Sequence, residues 1–255
     1  MNTPNRFRDR VLAAEWLAGT FINLGSALTA EIAGRAGFDW LMLDYEHGPG
    51  SEETLLHQIQ AVSATPATTI VRLAANEAPR FKRALDLGAG GVMVPYVSTE
   101  AEAKAAVAAL RYPPRGIRGV SKFNRAAGFG QDFEDYYAHA HERLVNMVQI
   151  ETPEALQNLD AIASMDGVDV LFVGPLDLTT NLGIQGKFDH PLFVDARRRT
   201  AKAARKAGKA AGILLTAPEQ KAIVRDEGYT VIAYGSDGGA VTAGLRQYVA
   251  TLQAK

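Results

Sequence analysis

The sequence predicts an α/β fold of the (β/α)₈ (TIM) barrel type, and three observations carry that prediction. Eight short apolar runs rich in β-branched residues recur along the chain, and eight is the number of strands that closes such a barrel. The runs are nearly continuously apolar, as strands covered on both faces must be, while the segments between them have helical period and good helix formers. Several of those helical segments stop at a glycine just before the next run (Gly37, Gly88, Gly208, Gly228), where glycine takes the left-handed position that ends a helix.

In chain order the predicted strands are Leu17–Leu24, Trp40–His47, Thr68–Leu73, Gly91–Val97, Asn146–Glu151, Val168–Gly174, Ala211–Thr216 and Val231–Ser236. Helices are expected over Glu52–Ser63, Ala78–Leu87, Glu100–Leu110, Pro153–Met165, Pro191–Ala207 and Pro218–Glu227. The long segment Arg111–Arg143 breaks the even spacing; rich in Gly, Arg, Pro and aromatic residues, it reads as a lid or a subunit contact. The competing fold is a doubly wound open sheet. It requires an edge and a reversal of strand order, and no GxGxxG follows the first strand.

With strands recurring throughout and no linker-like composition shift, residues 1–255 are expected to form a single barrel domain. Hydrophobic residues at 47% and charged residues at 22% exclude a disordered or fibrous chain. The net charge of -1 and scattered basic residues speak against nucleic acid as a partner. The cluster Arg197–Arg199 with Lys202, Arg205, Lys206 and Lys209 reads as a solvated helix face. No stretch approaches the roughly 18–20 apolar residues that span a bilayer, so a cytoplasmic protein with no membrane association is expected. There is no cysteine, so any metal falls to oxygen and nitrogen ligands.

Barrel chemistry sits at the carboxyl ends of the strands, and the last polar residues there are Asp44, Glu46 and His47, Arg72, Gln149 and Glu151, and Asp177. Glu151 or Asp177 alone could serve a basic partner or cap a helix. As a pair on adjacent strands, with Gly174-Pro175 turning the chain before Asp177, they repel unless a cation lies between them. Hard oxygen donors point to Mg²⁺ or Mn²⁺, with Co²⁺ as a substitute. Arg72 could neutralise a carboxylate, form a structural ion pair or hold an enolate oxygen. His47 alone among the histidines ends a strand and is the natural proton shuttle; His57, His139, His141 and His190 fall in helices or loops. No lysine lies in any strand, which argues against Schiff-base chemistry. The turn Gly235-Ser236-Asp237-Gly238-Gly239 is either a phosphate cradle or a simple turn.

Several of these strings, taken in order, resemble a known family: Gly37-Phe38-Asp39-Trp40 leading to Asp44-x-Glu46-His47-Gly48, then Arg72, Leu85-Asp86-x-Gly88-Ala89-x-Gly91-Val92-Met93-Val94-Pro95, Tyr112-Pro113-Pro114-Arg115-Gly116-Ile117-Arg118-Gly119, Gln149-Ile150-Glu151-Thr152 and Phe172-Val173-Gly174-Pro175-x-Asp177-Leu178. They are similar to the HpcH/HpaI metal-dependent class II pyruvate aldolases over residues 17 to about 240. The resemblance implies that Glu151 and Asp177 bind the metal, that pyruvate chelates it, and that Arg72 steadies the enolate. It also implies His47 as general base through a metal-bound water, Asp86 orienting His47, Asp44 nearby, and Gly174, Pro175 and Leu176 lining the keto-acid pocket. A homo-hexamer with exchanged C-terminal helices is implied too.

The expected reaction is reversible cleavage of a 4-hydroxy-2-keto acid to pyruvate, or hydroxypyruvate, and an aldehyde. Decarboxylation of an oxaloacetate-type acid passes through the same enolate and is the alternative; a catalytically silent barrel is disfavoured by the intact set of polar strand ends. Arg115 and Ser121-Lys122-Phe123-Asn124-Arg125 are expected to meet the aldehyde half.

Overall fold

The computed structural model describes residues 7–254. Its strands β1 (Leu17–Ile22), β2 (Trp40–Asp44), β3 (Thr68–Arg72), β4 (Gly91–Val94), β5 (Val145–Ile150), β6 (Val170–Val173), β7 (Ala210–Leu215) and β8 (Tyr229–Ser236) form a closed parallel barrel in chain order. Among the described residues the helices are α1 (Phe7–Leu12), α2 (Ala27–Arg35), α3 (Glu52–Val62), α4 (Ala78–Asp86), α5 (Glu100–Leu110), α6 (Phe133–Arg143), α7 (Pro153–Gln157), α8 (Leu159–Ser164), α9 (Pro175–Asn181), α10 (Pro191–Lys206), α11 (Gln220–Glu227) and α12 (Asp237–Gln253). Pairing of β8 with β1 closes the barrel and rules out the open sheet.

Strand parity explains both core and mouth. Alternate residues point inward, and Leu17, Phe21, Trp40, Met42, Ile70, Met93, Met147, Val170, Phe172, Val231 and Ala233 pack into one buried cluster inside the barrel. Trp40 is the largest of them: its ring meets Phe172 edge-on at 6.2 Å, and a Cβ on Gly19 would lie 2.2 Å from it, so Gly19 makes room for the indole. Continuing the same parity up each strand puts Asp44, Arg72, Gln149 and Glu151 on the inside at the carboxyl end. The opposite parity (Leu41, Leu43, Val71, Val92, Val148, Leu171, Val173) joins the second apolar layer under the helices.

The amino end of the barrel is closed by α1, whose Phe7 and Val11 join the inner cluster while Arg8 reaches Asp169 at 2.8 Å. The glycines expected to end helices do so in left-handed conformations, with φ of 99° at Gly37, 97° at Gly88, 69° at Gly208 and 96° at Gly228. The helix expected over 153–165 is instead two short ones, α7 and α8. They divide at Asn158, whose side chain is drawn to the Ser98 carbonyl at 2.9 Å.

The long segment 111–143 is not a lid over its own mouth. It joins the end of α5 to the start of β5, and in a parallel barrel every helix-to-strand connection lies at the amino face. There α6 stacks Tyr137 on Tyr112 with centroids 5.0 Å apart, and buried Arg118 lies over Tyr112 at 4.5 Å and bonds Asp86 at 2.7 Å. Arg115, Ser121, Asn124 and Arg125 therefore line recesses on that face, and none of Arg115 and Ser121–Arg125 lines the cavity above β5 and β6.

Candidate active site

A cavity of about 670 Å³ opens over the carboxyl ends of the strands and is lined by Asp44, His47, Arg72, Gln149, Glu151 and Asp177, among others. Gly174, Pro175 and Leu176 line it as well. Asp86 does not reach it: this residue ends α4 at the amino face and pairs with Arg118. The orienting contact expected from Asp86 to His47 is therefore not made within one chain.

Arg72 is set by register, since Asp44 of β2 and Arg72 of β3 are direct neighbours. Its Nε donates to Asp44 Oδ1 at 3.0 Å and its Nη2 to Asp44 Oδ2 at 2.7 Å, a bidentate fork, while Nη1 lies 3.1 Å from Glu46 Oε2. Phe21 supports the guanidinium from one side at 5.2 Å. Burial pushes the Asp44 carboxyl up, but the Arg72 hydrogen bonds and charge, with the backbone N–H groups of His47 and Glu46, outweigh it and hold the group below its ordinary value. The same two N–H donations, at 3.2 and 3.1 Å, shape the turn that delivers His47 to the mouth. There His47 stays open to solvent, with Nε2 3.9 Å from Glu46 Oε2.

Glu151 and Asp177 have no such cation to themselves. Glu151 is 1% exposed; burial first, then the charge of Asp177, pushes its carboxyl up to about 8. Its Oε1 accepts from Gln149 Nε2 and its Oε2 from the Tyr96 backbone N–H at 3.2 Å. A Cβ at position 174 would lie 2.1 Å from Glu151 Oε1, so the turn at Gly174 is shaped around this carboxylate. Asp177 stands in the first turn of α9, directly after the Gly174-Pro175 start of that helix, and its Oδ1 accepts from the Tyr96 phenol at 3.2 Å.

Among the described residues no group of three or more His, Cys, Asp or Glu side chains is arranged to hold a metal. The protein's share of a cation site here is two carboxylates, leaving most positions to water and substrate, as Mg²⁺ and Mn²⁺ commonly accept. A buried carboxyl held near 8 beside a second carboxylate fits that role, because a cation removes the repulsion that burial magnifies. Strand-end reasoning located Gln149 and Glu46 without assigning them contacts. It missed Tyr96, which lies two residues beyond β4 and whose reach depends on its backbone conformation, with φ of 52°.

Barrel and mouth together define a class, a (β/α)₈-barrel enzyme whose site lies at the carboxyl ends of its strands. Residues 17–243 match the model of the HpcH/HpaI aldolase/citrate lyase family, and the chain belongs to that family. The chain is 39% identical to the 5-keto-4-deoxy-D-glucarate aldolase of Salmonella paratyphi C (strain RKS4594) over 250 residues, 98% of this chain and 97% of the relative. A HpcH/HpaI aldolase/citrate lyase family protein from Burkholderia cenocepacia J2315 superposes with a TM-score of 0.92 at 35% identity, covering 97% of this chain and 98% of the other. The HpcH/HpaI aldolase of Desulfitobacterium hafniense DCB-2, at 24% identity and a TM-score of 0.91, shares the fold over 98% of this chain and 97% of its own. With named aldolases this similar over nearly its full length, the chain is an aldolase, and hence a lyase.

Proposed function

We propose that this aldolase reversibly cleaves a 4-hydroxy-2-keto acid to pyruvate, or hydroxypyruvate, and an aldehyde, with a divalent cation, Mg²⁺ or Mn²⁺ and Co²⁺ as a substitute, held by Glu151 and Asp177. The observation that carries this is the buried Glu151 carboxyl, pushed up to about 8 beside Asp177 while the neighbouring arginine is committed to Asp44 and Glu46. When bound, the cation supplies Lewis acidity at the keto oxygen, where negative charge gathers as the carbon–carbon bond breaks.

The chain's own residues do the rest. His47 Nε2 takes the proton from the C4 hydroxyl, the C3–C4 bond breaks to give the aldehyde, and its electron pair passes into the pyruvate enolate. A proton returned to C3 completes pyruvate. Arg72 holds the enolate oxygen with N–H hydrogens not engaged by the two carboxylates, which fix the fork in advance and so remove the cost of orienting it during reaction. Asp44 holds Arg72 and the His47 turn together. Gly174, Pro175 and Leu176 bound the keto-acid end of the cavity.

The name of the Salmonella relative makes 5-keto-4-deoxy-D-glucarate the first compound to test, since numbered from its keto end it is a 4-hydroxy-2-keto acid. Release of pyruvate, followed by reduction with lactate dehydrogenase, is measured for this and other 4-hydroxy-2-keto acids with Mg²⁺, Mn²⁺, Co²⁺ and EDTA. Pyruvate release from at least one, lost with EDTA, is expected; no release from any with any metal rejects the proposal.

The assembly proposed with this function is a homo-oligomer, a hexamer, with α12 exchanged. Helix α12 buries none of its own residues, and Val241, Leu245, Tyr248, Val249 and Leu252 leave an apolar stripe at helical spacing exposed. Beside it a largely apolar recess of about 680 Å³ remains open between β1, β8 and α2. In such an assembly a neighbour's Asp86 would be the one to meet His47. Light scattering tests the hexamer, and Leu245→Asp is expected to dissociate it.

A further inference from the structure

We propose that Tyr96 is a positioning residue that sets both carboxylates of the cation site, through its backbone at Glu151 and through its phenol at Asp177. This role rests on the cation assignment above. Tyr96 follows Pro95 at the end of β4, and its φ of 52° lies in the left-handed region, which is costly for a bulky aromatic residue. Strain of this kind persists only where the surroundings hold it.

Two contacts meet at this residue. The Tyr96 N–H donates to Glu151 Oε2 at 3.2 Å, and the left-handed turn at its Cα places the ring so that the phenol donates to Asp177 Oδ1 at 3.2 Å. Glu151 is held on its other oxygen by Gln149 Nε2. Tyr96 thus joins the end of β4 to the carboxylates supplied by β5 and α9. Tyr96 is 46% exposed, so it stands at the rim and outside the packed core.

The test separates the phenol from the backbone. Tyr96→Phe keeps ring, backbone and strain and removes only the hydroxyl. Titration calorimetry with Mn²⁺ alone, on the full-length protein stripped with EDTA, compares wild type, Tyr96→Phe and Glu151→Gln, with melting of each metal-free protein as control. Loss of a group that orients a ligand commonly weakens metal binding about 10–100-fold; because this contact is at the rim, a Kd raised about tenfold is expected, with an unchanged metal-free melting temperature. A Kd for Tyr96→Phe within about twofold of wild type, while Glu151→Gln binds no Mn²⁺, overturns the role of Tyr96 and leaves the cation assignment standing. Mn²⁺ binding by Glu151→Gln equal to wild type overturns both.

Discussion

Replacing Glu151 with glutamine should make the metal-free protein more stable at alkaline pH while removing its cation. In the folded, metal-free chain the Glu151 carboxyl is pushed up to about 8 from an ordinary value of 4.5. Between those values the folded state holds a proton that the unfolded state has released, so stability falls as pH rises from about 4.5 to about 8 and levels off above. For one such group the loss between pH ~6.5 and ~8.5 is about 2 kcal/mol. Glutamine keeps the shape and cannot ionise. Gln149 Oε1, buried and without a partner among the described residues, can accept from the new amide. Urea denaturation of EDTA-treated protein at the two pH values, at one fixed protein concentration, measures the effect. The pH-dependent loss should be smaller by about 2 kcal/mol in Glu151→Gln than in wild type. Equal losses in the two proteins would show that Glu151 is not held protonated by its surroundings, and the case for a cation at this point would lose its main support.

Arg72→Lys should lower pyruvate proton exchange and aldol cleavage together by roughly 10²–10³, because an ammonium cannot keep the fork to Asp44 and also reach the enolate oxygen; near wild-type exchange removes Arg72 from that role. His47→Ala should keep pyruvate affinity but lose cleavage, whereas decarboxylation of oxaloacetate, which forms the enolate without abstracting a substrate proton, should suffer less. An equal fall in both activities would instead make His47 structural. Gly174→Ala should abolish Mn²⁺ binding in calorimetry, since its Cβ would fall 2.1 Å from Glu151 Oε1 and displace the carboxylate; unchanged binding would show that the turn yields.

Much of the barrel was legible because covered parallel strands must be apolar on both faces, and Gly37, Gly88, Gly208 and Gly228 marked where helices stopped. Parity then carried Asp44, Arg72, Gln149 and Glu151 to one mouth, which is why those four could be read from strand ends. Asp86 could not be placed in this way. The family resemblance associates it with His47, but within one chain its position at the end of α4 places it at the amino face, paired with Arg118. The location of 111–143 was open to inference from connectivity alone, since any segment between a helix and the next parallel strand lies at that same face. Its composition, rich in glycine and aromatics, suggested a lid or a subunit contact, and connectivity excludes only the lid over its own mouth. Tyr96 left no signal, because a left-handed tyrosine has no pattern in sequence. The unpacked stripe on α12 has the period of an ordinary core-facing helix, so only the structure shows that none of the described residues covers it.

The most direct test of a cation-dependent enolate at this mouth is deuterium exchange into the methyl group of pyruvate, followed by proton NMR with Mg²⁺-loaded and EDTA-stripped protein. Exchange requires only the pyruvate half of the reaction, so it does not depend on knowing the aldehyde. Exchange with Mg²⁺, abolished by EDTA, restored by added metal and absent from Glu151→Gln, is the predicted result. Full exchange by stripped protein whose metal content is zero by elemental analysis would contradict it.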